Sequence, residues 1–445
     1  MAMVVKNNLS AKNTLNQLNK NDKAAAKDLK KLASGMRINS AADDASGYSI
    51  SERMAVQIRS LDQDDANTQN GTSLLKTAEG AVSSTVDILK TLKEKAINAA
   101  NDTNTDADRA TIQKEVDQAL DQIDENANVT FNGKTLLDGS KNDHVIAPGT
   151  YTYLTNESFA DGTESTTNLV DLESKTGGKI GIVPGDQILV SYIKDGQTYT
   201  NRDDPAAGVL TVADDTMFGE IFQWNPCAND LDIPDYSNTS LIGKDQFGQN
   251  VYTIDGRSAI SYHATNPGLE GQISGLTICV MDSQGNPKGS TNAIINNFNE
   301  TIRAQDPSDD NALVFQTGTK ANQSMKVGFT DLRASALGLK SIDGNTIKLT
   351  TQLGANTAIN ALDNAVSKAL DMQTKIGSVQ SRLSYTSANI VTASENTTAS
   401  KSTISDADMA KEMTSYTKNN VLSQAAQAML AQANQSSSSV LSLLQ

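Results

Sequence analysis

Apolar residues recur every seven positions over the first stretch of the chain, from about Val4 to Met36. One line carries Val4, Ala11, Leu18, Ala25 and Leu32, and a companion line carries Leu15, Asp22, Leu29 and Met36. The far end of the chain repeats the spacing. Leu422, Met429 and Leu443 fall on one line there, and Ala426, Ala433 and Val440 on the other. A 3-4 spacing kept up without proline predicts helices that pack along a narrow apolar stripe. The stripe is thin. Asp22 and Ser436 interrupt it, alanine fills many of its positions, and Asn, Gln, Lys and Ser cover the outer faces. Burial stabilises by roughly 25 cal/mol per Å², whereas ordering each residue costs about 1–2 kcal/mol. The expectation is that both ends become fully ordered only when copies stack side by side. A stable two-helix stalk within one chain is the alternative.

Longer and stronger lines lie inside these ends. Leu61, Thr68, Leu75, Val82, Leu89 and Ala96 step by seven and predict a helix ending near Asn101. Thr105 and Asp108 form a capping-box pattern for the next helix, which shows Ile112, Val116, Ala119 and Ile123 on one face. Phe131-Asn132-Gly133-Lys134 predicts a tight primed turn. On the return, Leu362, Ala369, Ile376, Leu383 and Ile390 step by seven, widened by Ile359 and Val366. A Ser/Thr/Asn stretch from Thr392 to Ser405 predicts a break, with the last helix beginning near Asp406.

Proline and aromatic residues mark a different middle. All eight prolines lie between Pro148 and Pro307, and sixteen of nineteen aromatics between Phe131 and Phe329. Short β-like runs appear at Lys179 to Val183, Gln187 to Ile193, Gly208 to Val212, Val251 to Ile254, Ala259 to His263 and Ile273 to Met281. Asn292 to Arg303 reads as a helix, and Leu313 to Phe315 with Met325 to Phe329 as a hairpin. The fold class is therefore mainly α: a long helical coiled-coil rod from both termini, with a central α+β or mostly β insert. The expected domains are 1–36 (N-terminal coiled-coil helix), 37–140 (helical rod), 141–310 (insert), 311–405 (return hairpin and rod helix) and 406–445 (C-terminal coiled-coil helix).

Charge narrows the partners. The chain of 445 residues carries a net charge of −15, which argues against nucleic acid as the main partner. The first 37 residues run the other way, with seven lysines and Arg37 against Asp22 and Asp28. They contain no Trp or Phe to sit in a bilayer interface, so a solvated basic face is expected and no membrane association. Met1 to Ser10 has no apolar core of signal-peptide length. Cys227 and Cys279 fit neither a disulfide framework nor a zinc site; one bridge or two buried thiols both stay open.

Between the first two helices runs Arg37-Ile38-Asn39-Ser40-Ala41-Ala42-Asp43-Asp44-Ala45-Ser46-Gly47, and here the sequence resembles bacterial flagellin. It is similar to that family also at Asn7 to Ala11, Phe131 to Leu137, Arg333 to Leu339 and Asn419 to Asn434, within residues 1–140 and 311–445. The resemblance implies a filament subunit of the bacterial flagellum, self-assembling as a homopolymer and located outside the cell. It implies export without a cleaved signal, an export chaperone, a flagellar cap, and hook-associated proteins as neighbours. It implies an inner coiled-coil layer from the two termini and an outer α-helical layer, which residues 37–63, with Arg37, Asn39, Asp43, Asp44 and Gly47, would connect. Many flagellins offer a Toll-like receptor a helix reading Leu-x-Arg-x-Arg-Glu-Leu. The matching stretch here is Leu89 to Lys95, where Glu94 stands, Lys93 keeps a charge, and Glu115 matches a contact on the neighbouring helix. Thr91 replaces an arginine and Lys95 a leucine, which predicts weak receptor recognition.

No catalytic pattern accompanies these features, and no cofactor is expected. His144 and His263 make no His-Glu-x-x-His pair. Asp102, Asn104 and Asp106 begin like a calcium loop but lack its Gly and Glu, so they read as a helix start. The acidic pairs Asp64-Asp65 and Asp309-Asp310 read as solvated surface. The alternatives to a major filament subunit are a hook–filament junction or minor filament protein, and a subunit whose insert is an adhesin.

Overall fold

The computed structural model describes residues 8–203, 208–224, 227–232, 240–254 and 256–442, with side chains to residue 436. Three helices open the chain: α1 (Leu9–Ser34), α2 (Ala45–Ala99) and α3 (Asp106–Ala127). Strands β1 (Thr130–Phe131), β2 (Lys134–Thr135), β3 (Tyr153–Asn156), β4 (Gln187–Lys194), β5 (Gln197–Thr200) and β6 (Leu210–Thr211) follow. Next come α4 (Cys227–Asp230), β7 (Leu231–Asp232), β8 (Leu241–Lys244), β9 (Asn250–Tyr252), β10 (Ile260–Ala264) and β11 (Ile273–Met281). The chain then continues through α5 (Gly289–Ile295), β12 (Asn299–Ile302), β13 (Leu313–Gln316) and β14 (Ser324–Val327) to α6 (Gln352–Ser405) and α7 (Met409–Ser442).

The chain falls into two compact units. The first comprises residues up to Gln69, Gln316–Ser324 and the chain from Tyr385 onward; the second comprises Asn70–Phe315 and Met325–Ser384. In the first unit α1 and α7 pair antiparallel, Asn8 reaching Ala433 at one end and Arg37 reaching Ser405 at the other. The expected break over Thr392–Ser405 is absent, because α6 runs through it. With no Gly or Pro in the stretch, the hydroxyls bond back along the helix: Thr392 to the Ala388 carbonyl, Thr397 to Ala393 and Ser400 to Asn396. Asp64 is buried rather than solvated, and burial pushes its carboxyl pKa up. Its neighbour Asp65 accepts from the Ser387 hydroxyl at 2.5 Å.

The second unit has two cores. The helical one joins α2, α3 and α6: Leu75, Val82, Leu89 and Ala96 are fully buried, as are Leu362, Ala369, Ile376 and Leu383. Thr105 caps α3 with the reciprocal Asp108 bonds that the capping box requires. Asn132 and Gly133 both take positive φ, 50° and 74°, in the primed turn between β1 and β2. β13 and β14 form the expected hairpin.

The insert's core lies between two antiparallel sheets, one ordered β12-β3-β10-β7 and the other β11-β4-β5 with β6 beside β4. Tyr192, Tyr262, Phe218, Phe222 and Trp224 fill it, the Phe222 and Tyr262 rings 4.2 Å apart. Two readings change here. Asn292–Arg303 is not one helix: α5 ends at Ile295 and β12 begins at Asn299, pairing with β3. Lys179–Val183 makes only an isolated bridge through Lys179. Where β11 runs against α6, Gly275 takes φ 66° and a Cβ there would meet the Thr357 carbonyl at 2.6 Å, so only glycine fits. Cys227 and Cys279 are both free thiols.

Candidate self-assembly surface

Helix α1 starts where Asn8 Oδ1 accepts from the Ala11 N–H at 2.9 Å and ends at Gly35, which takes the left-handed conformation at φ 67°. Along α1, Ala11, Leu18, Ala25 and Leu32 are half-buried, as the heptad reading expects. Their companions within the chain are Thr14, Asn21 and Asp28, one position before the line Leu15, Asp22, Leu29 and Met36. A one-residue shift of the opposite sense occurs on α7. Ala426 and Ala433 lie on the seam, but Ser423 and Leu430 accompany them rather than Leu422 and Met429. Val4 and Leu443, and the side chain of Val440, lie outside the described residues.

The seam is polar. Asn21, Asp28 and Ser423 are buried, and Ala426 is the one apolar side chain of α1 or α7 buried to that degree among the described residues. Its register is set by hydrogen bonds. Ser423 Oγ donates to Asp22 Oδ1 at 2.6 Å, and Asn419 Nδ2 donates to Asp28 Oδ2 at 2.7 Å. Lys31 Nζ meets Glu412 Oε1 at 3.0 Å. Bonds to carboxylates are the stronger kind, and each is geometrically exacting in a way that alanine contacts are not. The displaced apolar lines consequently face outward. Leu15 is 45%, Leu29 52%, Leu422 40% and Met429 63% exposed, and Leu9, Met36, Met413 and Val421 are exposed beside them.

The turn after α1 is tightly built. Arg37 donates its N–H to the Ser405 carbonyl at 2.7 Å and its guanidinium to the Ile404 carbonyl at 2.6 Å. Asp43 accepts from the Asn39 N–H and the Ser40 hydroxyl and pairs with Lys27 at 2.9 Å. The Lys27 ammonium and the Asn39 amide hold its carboxyl pKa down at about 2. Asp44 Oδ1 accepts from the Ser46 and Gly47 N–H groups and so caps α2. Gly47 is buried, and a Cβ there would lie 2.7 Å from Ile38 Cδ1. From Ala45 onward the expected connecting stretch is part of α2.

The receptor-like stretch divides by face. Leu89 is fully buried in the helical core and is not a surface group, which corrects its place in that reading. Thr91 and Glu94 are exposed. Lys93 pairs with Asp363, and Lys95 with Glu115, each at 2.5 Å. Among the described residues no group of three His, Cys, Asp or Glu could hold a metal ion. His263 stacks on Tyr153, and burial lowers its pKa.

Asn21, Asp28, Asn419 and Ser423 were invisible to a search for apolar positions. Their one signal is spacing, since Asn21 and Asp28 stand three residues after Leu18 and Ala25.

Comparison with known proteins bears on what this surface serves. The bacterial flagellin N-terminal helical region matches residues 5–142, and the C-terminal helical region matches residues 359–444. The chain is 34% identical over 435 residues to a flagellin of Clostridium tyrobutyricum, covering 97% of this chain and 99% of that one. It is 28% identical to a flagellin of Bacillus subtilis, covering 99% and 100%. Polar flagellin A of Vibrio parahaemolyticus is 30% identical over the full length of both chains. With both helical regions matched and the alignments running through the insert, the chain belongs to the bacterial flagellin family and is a structural subunit of the flagellar filament, outside the cell.

Proposed function

We propose that the α1–α7 pair is the polymerising element, and that the exposed lines through Leu15, Leu29 and Met36 and through Leu422 and Met429 are covered by neighbouring copies. The observation that carries this reading is the pairing of a hydrogen-bonded polar seam with unpartnered apolar rows one residue away. Subunits joined head to tail through such unlike surfaces extend into an open helix rather than closing. The insert, residues 141–310, faces outward from the filament. A variant lacking residues 1–36 stays folded and soluble but does not polymerise; long filaments grown from it would overturn the proposal.

The thin seam also supports a gain of order on assembly. Helix content by circular dichroism rises from monomer to polymer, and equal content in both would remove this part. By family likeness the chain leaves the cell with its first residues uncleaved, which mass spectrometry of secreted protein tests. An export chaperone, the cap and hook-associated proteins are its transient partners. Toll-like receptor recognition is weak, because Thr91 offers no guanidinium and Glu115 is engaged by Lys95.

A further inference from the structure

The four-stranded sheet of the insert has an inner face against the aromatic core and an outer face with a different composition. Leu154 of β3 packs in the core, so its neighbour Thr155 faces the other way, beside Asn299 of β12 with which it is in register. Over this outer face lies the β8–β9 hairpin, so close that a Cβ on Gly243 would run into the Tyr153 ring. A groove of about 570 Å³ remains, within the size range of small-molecule sites. Ile242, Tyr252 and Ile254 form one wall; Thr155, Asn299 and Thr301 line the sheet side, with Asn297 nearby.

Three observations define what fits. Thr155 is only 2% exposed, yet its hydroxyl has no hydrogen-bond partner. Leaving such a group buried and unpaired costs about 1–3 kcal/mol, a cost that a ligand hydroxyl would remove. Tyr252 and Ile254 are 56% and 92% exposed, an uncovered apolar wall with a flat ring in it. Charge is balanced, with Glu157 and Lys175 the ionisable residues of opposite sign among the described lining, so a phosphate or other anion has no field to draw it. A neutral ligand with an apolar face and a hydroxyl-bearing edge matches all three.

We propose that this groove binds a neutral oligosaccharide, a sugar ring lying against Tyr252 and a hydroxyl reaching Thr155. Saturation-transfer NMR on the monomeric full-length chain, with maltotriose, cellotriose and triacetylchitotriose as probes, tests it. At least one probe receives saturation. Thr155→Val, which keeps shape and strand preference, weakens that probe about five- to tenfold, the equivalent of one lost hydrogen bond. Its thermal stability stays at or above that of the parent, and Tyr252→Ala weakens binding at least as much. No transfer to any of the three sugars overturns the proposal, as does an affinity unchanged by either substitution. Capture of an apolar peptide in the groove without sugar binding overturns it as well.

Discussion

Replacing Leu15 and Leu29 together by alanine keeps the helix propensity of α1 while removing three carbons from each of two outward-facing side chains. Burying a carbon stabilises by about 0.8 kcal/mol, so full burial of either truncated portion contributes about 2.4 kcal/mol. The single chain leaves Leu15 45% and Leu29 52% exposed, and only that exposed share is available to a neighbour. The two sites together then contribute about 2.3 kcal/mol per subunit to assembly, which corresponds to a roughly 50-fold higher critical concentration. Sedimentation of seeded polymerisation reactions measures it, with circular dichroism of the monomer as the control for helix content. A critical concentration within threefold of the parent, with monomer helicity unchanged, would refute the assignment of these rows to the interface between copies.

The Asp43 carboxyl, held at about 2 in the folded chain against about 3.9 unfolded, contributes stability that is present above the unfolded value and lost as pH falls through the folded one. NMR titration therefore places the Asp43 midpoint near 2, and Lys27→Ala moves it upward; an unmoved midpoint would show that the ion pair does nothing. Gly47→Ala forces a methyl against Ile38 and the Asp44 carboxylate and destabilises by about 1–3 kcal/mol, which thermal unfolding detects as a lower midpoint. In a receptor reporter assay the parent gives a weak response, and Thr91→Arg with Lys95→Leu raises it. A parent response equal to that of a strong agonist flagellin would contradict this.

The rod was readable because its periodicity is strong and local. Leu75, Val82, Leu89 and Ala96 all reach zero exposure on the face their spacing assigns them, and the Thr105 cap and Asn132-Gly133 turn depend only on neighbouring residues. The terminal seam was harder. Leu15 and Leu29 outrank Asn21 and Asp28 in hydrophobicity, so an apolar search selects the surface row and passes over the buried polar row beside it. That inversion is what the proposed function requires, since a lone chain would leave exposed the rows its neighbours cover. Ser and Thr between Thr392 and Ser405 suggested a break because their hydroxyls compete for backbone groups; bonded to carbonyls one turn earlier, they leave the helix intact. The insert resisted because β3 pairs with strands more than a hundred residues away, and nothing local encodes that choice.

The contacts Asn8 to Ala433, Asp28 to Asn419 and Lys31 to Glu412 join groups separated by nearly the whole polypeptide. A ribosome makes the first member of each pair several hundred residues before the second. A product released between the two carries one half of every latch and cannot form the α1–α7 pair. If the α1–α7 pair is the polymerising element, as proposed, prematurely ended copies stay out of the filament.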